Sequence, residues 1–254
     1  AVAPTGFSTP VSGNSVTANV SAPVITCSAA SVGNNLQATV SCSLVGGTPS
    51  SGKAVILTSD DISLIKLAPV SAGGTSCTAA GASSITVTTV SLPGGGVAMP
   101  SFCVYGLANA GAATYTINGG SMGYASSKGN VTLTPSGFVV SAGGAAIGTP
   151  NFYTLFTGSS PVTINIWPAQ LDGGGNYVAV EPLAGGIPSV SVSVTSGTPS
   201  VGTITSSPVT VLPGTNVAST QFQPLSGGNS LISLSTPAGY STPAAAYRTV
   251  TGTV

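Results

Sequence analysis

Eight side chains in 254 residues carry formal charge, Lys53, Lys66, Lys128 and Arg248 against Asp60, Asp61, Asp172 and Glu181, and there is no histidine. That inventory bounds the chemistry. A Ser-His-Asp relay needs an imidazole base beside its nucleophile, and none exists. Glycosidic acid and base work needs two carboxyl groups flanking a bond, whereas Asp60 and Asp61 are adjacent and read as a solvated turn. Calcium takes six to eight oxygen ligands, so Asp60 with Asp61, or Asp172 with Glu181, supplies at best part of a weak site. Gly94-Gly95-Gly96 and Gly173-Gly174-Gly175 are not followed by Lys-Ser/Thr and a helix, as a phosphate loop requires. Four dispersed cations balanced by four anions give no basic patch for nucleic acid. The expected inventory is therefore no catalytic residue, no cofactor and no metal ligand.

Four cysteines, Cys27, Cys42, Cys77 and Cys103, lie in the first half of the chain without the C-x-x-C spacing of a zinc site. Two disulfides formed in an oxidising compartment are the simplest account. A turn at Gly33-Asn34-Asn35 lies midway between Cys27 and Cys42 and favours them as opposite partners, leaving Cys77 with Cys103. The rival is an inter-sheet bridge from Cys42 to Cys103 with Cys27 to Cys77. Sequons at Asn19 and Asn130 are candidate glycosylation sites, both placed by strand alternation on the face opposite Val20 and Val131. Trp167 with Tyr177 could form a sugar platform, although a lone Trp after Val162, Ile164 and Ile166 reads first as a packing residue.

The elements that position these residues are strands. Pro and Gly punctuate the chain and no window keeps a 3.6-residue apolar period. Period-two alternation runs through Leu36, Ala38, Val40, Cys42 and Leu44, through Ile85 and Val87, through Val162, Ile164 and Ile166, and through Val190, Val192 and Val194. Charged residues are 3% where about 25% is usual. No apolar stretch approaches the roughly 18 to 20 residues of a spanning helix, so membrane insertion is not expected. With no histidine and four carboxylates, charge and pH-linked stability are expected to change little between about pH 2 and 9. Near-zero net charge favours association.

A terminal hairpin signature occurs three times. Gly6-Phe7 precedes Val16-Thr17, Gly123-Tyr124 precedes Val131-Thr132, and Gly239-Tyr240 precedes Val250-Thr251, with the dipeptides 117 (123 − 6) and 116 (239 − 123) residues apart. Other landmarks recur in order: Thr58-Ser59, Pro69-Val70, Pro93-Gly94, Phe102, Leu107 and Gly111 against Thr195-Ser196, Pro208-Val209, Pro213-Gly214, Phe222, Leu225 and Gly228. Such periodicity predicts an all-β chain of two tandem immunoglobulin-like β-sandwich domains, 22–135 and 136–254, preceded by an extra strand segment, 1–21. The chain begins at Ala1, which fits removal of an export signal or excision from a longer polypeptide. Phe7, Val16, Ala18 and Val20 of the extra segment are the expected subunit junction. A lone strand with a buried face is unstable alone, so it completes a preceding repeat or pairs with a neighbouring subunit.

Leu57-Thr-Ser-Asp60, Tyr105-Gly-Leu-Ala108, Val131-Thr-Leu-Thr-Pro-Ser-Gly137, Ser200-Val-Gly-Thr-Ile-Thr205 and the Gly-Tyr dipeptides resemble the bacterial immunoglobulin-like repeats of large secreted surface proteins. The resemblance covers essentially the whole chain; the cysteines depart from it. It implies an extracellular structural or adhesive role, as a stalk, surface-layer component or filament subunit. Copies of the same chain, or flanking repeats, are the expected partners. The alternative is an adhesive module binding a glycan or a cell-surface protein through loops at one sandwich end.

Overall fold

The computed structural model describes residues 5–8, 17, 21–47, 49–71, 76–156 and 160–254. In the first half, strands run β1 (Val24–Cys27), β2 (Ala30–Gly33), β3 (Gln37–Val40), β4 (Cys42–Val45), β5 (Ala54–Ser59), β6 (Ile65–Pro69), β7 (Ser84–Thr88), β8 (Val90–Leu92), β9 (Gly96–Ala98), β10 (Phe102–Gly106), β11 (Gly111–Asn118) and β12 (Ser127–Thr134). In the second they run β13 (Ser136–Ala142), β14 (Asn151–Tyr153), β15 (Val162–Leu171), β16 (Tyr177–Val180), β17 (Val190–Val192), β18 (Val194–Ser196), β19 (Gly202–Ile204), β20 (Val209–Val211), β21 (Ala218–Pro224), β22 (Asn229–Leu234) and β23 (Thr249–Thr253). One helical turn, α1 (Ala245–Arg248), precedes β23.

Both halves follow one wiring. An early strand joins the last strand in parallel, β2 on β12 and β14 on β23. The last strand then pairs antiparallel with its predecessor, β12 with β11 and β23 with β22, and that with β5 or β18. In the facing sheet a central strand pairs on both sides, β10 with β3 and β6, β21 with β15 and β19. After β5 the chain visits the facing sheet as β6 and returns as β7; after β18 it does the same as β19 and β20, the latter pairing with β17. The result is an all-β, immunoglobulin-like arrangement in both halves. The hairpin β8–β9 has no counterpart in the second half, and β16, folded back on β15, has none in the first.

The facing sheets close on aromatic contacts. Phe102 of β10 meets Tyr115 of β11 edge-on with centroids 5.4 Å apart, and Phe222 of β21 meets Phe152 of β14 at 5.5 Å. Each of three rings lies over a glycine on a neighbouring strand: Tyr115 over Gly129, Phe222 over Gly202 and Phe152 over Gly252. At each position the ring atoms stand where a Cβ would be, so only bare backbone fits there. Alternation holds where one face is covered, as in β12, where Gly129, Val131 and Leu133 are buried and Lys128, Asn130 and Thr132 are exposed. It fails along Pro168–Leu171, buried on every position, because 143–150 and α1 cover the outer face.

Two sequence expectations change here. The Pro69-Val70 and Pro208-Val209 landmarks are not equivalent, since Pro69 ends β6 while Pro208 precedes β20. The strand expected through Leu36 to Leu44 breaks at Ser41 into β3 and β4.

Candidate functional site: the junction and the two poles

Among the described residues, strand pairing between the halves is confined to one bridge, Leu36 with Leu183. Around it a junction is built from the loop 34–36, which links β2 to β3, and from 181–186, which follows β16. Leu36 and Leu183 are both fully buried. Gln37 sits at the centre. Its backbone N–H donates to Pro182 O (3.0 Å), its Nε2 donates to Leu183 O (2.8 Å), and its Oε1 accepts from the Cys77 N–H (2.7 Å). Asn35 O accepts from the Ala184 N–H at 2.9 Å. A buried amide with all these partners is a specific positional lock, because losing one strands a polar group away from water.

The second disulfide belongs to the same site. Cys77–Cys103 ties the loop between β6 and β7 to β10, with Cα atoms 6.2 Å apart. The stapled loop forms a wall against which the second half rests. Tyr105 Oη donates to Ala79 O (2.8 Å), and ideal Cβ atoms on Gly185 and Gly186 would fall 2.4 Å from Ala79 O and Ala80 Cα. These two glycines permit backbone to meet backbone. Cys27–Cys42 forms the other bridge, between opposed residues of β1 and β4 with Cα atoms 3.9 Å apart. The connection between them is not the simple hairpin that the turn spacing suggests: β2 crosses to the other sheet before β3 returns, and the turn residue Asn35 has φ 59°.

Glu181 is the one acidic group buried here, 8% exposed, its Oε2 accepting from the Gly33 N–H at 2.9 Å. Burial pushes its carboxyl up to about 7, against the smaller opposing pull of that N–H. Against the expectation that charge and pH-linked stability change little between about pH 2 and 9, this carboxyl is the exception, because a desolvated carboxylate behaves unlike a surface one. Glu181 and Asp172 form no joint site. Asp172 closes its own turn, accepting from the Gly174 and Asn176 N–H groups and Asn176 Nδ2.

Asp60 accepts from Thr116 Oγ1 (2.7 Å), Thr114 Oγ1 and Lys128 Nζ (2.7 Å), and these hold its carboxyl at about 2, Lys128 first. Asp61 accepts from the Ser63 N–H and hydroxyl within its own turn. Trp167 donates to Ser141 Oγ (3.0 Å) and packs in a small cluster with Tyr177 and Tyr247, so it is a packing residue. Asn130 is exposed on β12, opposite buried Val131. Val16, Ala18, Val20 and Asn19 lie outside the described residues. Phe7 is 75% exposed, whereas the aromatic after the corresponding glycine is buried at Tyr124 and packed on Phe138 at Tyr240. All three glycines of the signature have left-handed backbone, φ 89° at Gly6, 78° at Gly123 and 85° at Gly239. A groove of about 360 Å³ runs beside the junction, lined by Asn35, Pro188, Pro237 and Tyr240 among others.

No family model and no curated protein matches the chain. Among solved structures, domains 5–6 of the S-layer protein SbsC are 16% identical with a TM-score of 0.31, over 91% of this chain and 98% of that one. Invasin, a bacterial integrin-binding protein, is 14% identical with a TM-score of 0.34, over 91% of this chain and 38% of that one. Murine CEACAM1b is 11% identical with a TM-score of 0.20, over 91% and 96%. Likeness at these scores is weak, and the fold assignment rests on the strand pairing described above. No described helix is long and apolar enough to cross a membrane.

Proposed function

We propose that this chain is a structural subunit, or a repeat unit, of an extracellular fibre or surface array. In this reading 22–135 and 136–254 are two domains joined rigidly, and 1–21 supplies a strand that completes or extends a neighbouring domain. The carrying observation is the wiring repeated in the two halves, taken with the third occurrence of the Gly-aromatic signature in the sequence. Two halves share one strand order, and Gly6-Phe7 repeats the left-handed glycine and aromatic that precede the last strand in each. Among the described residues Phe7 lacks the cover its counterparts have. A partner domain would provide it.

The junction supports the same reading. A bridge of Leu36 and Leu183, a glutamine with three hydrogen bonds and a disulfide-stapled wall fix one half against the other, which is what a load-transmitting unit needs and what a hinged binding protein avoids. Disulfides fit an oxidising, exported setting, and two balanced sets of four charges leave little repulsion between copies. Deleting 1–20 is expected to give soluble units with an unchanged melting transition that no longer pellet as fibres. Fibres that persist after the deletion would remove the strand from the account.

A further inference from the structure

The pole of the first half that the second half covers has a counterpart in the second half. Loop 34–36 leads from β2 to β3 and buries Leu36 in the junction; 154–156 leave the end of β14 at the equivalent place. There the ends of three elements meet. Thr154 N–H donates to Thr253 O at 3.0 Å, and Gly228 and Val254 exchange N–H to O bonds at 3.0 and 2.9 Å, which brings the turn before β22 beside the ends of β14 and β23. On this pole Tyr153 is 77% exposed, Phe156 57% and Leu225 45%. The segments 149–156, 197–204 and 224–231 contain no charged residue. Aromatic and aliphatic side chains without charges have the composition of a buried interface centre, not of a solvated cap.

We propose that Tyr153, Phe156 and Leu225 form a docking surface for the first half of a second copy of this chain, an inference that rests on the assembly reading above and specifies the face used. The occupant follows from the internal repeat. In the junction, Leu36 is received by 181–186, the segment between β16 and β17. The equivalent segment of the first half lies between β4 and β5, and its described end, 49–53, is held to the residue before β8 by Gly52 N–H to Thr89 O (2.7 Å) and Lys53 N–H to Thr89 Oγ1 (2.9 Å). Val45 of β4 is exposed beside it, as are Val90 and Leu92 of the hairpin β8–β9, which the second half lacks. One copy therefore offers an apolar donor pole and the next an apolar receiving pole. A contact between two different faces of identical chains is heterologous, and where its rotation does not close a ring, copies add end to end into a filament.

The test uses the full chain with Y153S/F156S on one pole and, separately, V90S/L92S on the other, measured by sedimentation and circular dichroism melting. Each double variant is expected to melt as the parent does and to lose about tenfold of its pelletable fraction. Mixing the two leaves one competent donor pole and one competent receiving pole, and is expected to give dimers that do not grow. Parent-like pelleting of Y153S/F156S, or a mixture that stays monomeric, overturns the docking surface while the assembly reading stands. A parent chain that stays monomeric throughout overturns the assembly reading itself.

Discussion

Glu181 and Gln37 show how much a single buried polar group can decide. Glu181 keeps its proton to about pH 7 when folded, against an ordinary value of 4.5. Between those values the folded chain holds a proton that the unfolded chain has released, so stability falls as pH rises through the window and levels above it, by up to about 3 kcal/mol in all. Asp60 acts oppositely: its carboxyl is held at about 2, so its contribution is lost only as pH falls below the ordinary carboxylate range. Denaturant melts from pH 4 to 8 are expected to show the decline in the parent and a flat line in E181Q, whose amide oxygen still accepts from the Gly33 N–H. A parent profile that is flat across that window would refute the buried-carboxylate assignment. Neither role could be read from the sequence, since alternation from Leu36 through Ala38 and Val40 places Gln37 outward. The partners that bury it come from Cys77 and Leu183, 40 and 146 residues away.

At the scale of elements, the strands were legible wherever one face is buried, because a period of two then follows from geometry. Val162, Ile164 and Ile166, and Val131 with Leu133, behaved so. The wiring was not legible, as nothing local in β6 or β19 says that the chain will visit the facing sheet before returning beside β5 or β17. The glycines under aromatic rings are a second hidden feature; in a chain with 35 glycines, those that matter are not marked. An ideal Cβ on Gly129 would fall 2.0 Å from the Tyr115 ring, while one on Gly173 meets nothing within 4 Å. Gly129→Ala is expected to cost about 2–3 kcal/mol, by forcing the ring or the strand to shift. Gly173→Ala should leave the unfolding midpoint within error. Equal effects at the two positions would mean that the ring does not rest on the strand.

For the whole molecule, the repeat was the most informative feature of the sequence, and its strongest landmarks map onto equivalent places. Phe102 and Phe222 sit on the central strands β10 and β21, Thr58-Ser59 and Thr195-Ser196 end β5 and β18, and the Gly-aromatic pairs precede β12 and β23. Pro69-Val70 and Pro208-Val209 failed because Pro69 ends β6 while Pro208 precedes β20, a difference that a period alone cannot see. Two similarly wired halves, locked pole to pole, supply within one chain a sample of the contact proposed between chains. The most direct measurement is electron microscopy of the native assembly, with intact mass to define its repeating polypeptide. Unbranched filaments or arrays whose axial repeat equals one two-lobed unit, successive units meeting pole to pole, are the expected result. Discrete particles without axial repeat, or units meeting side by side, would contradict the account.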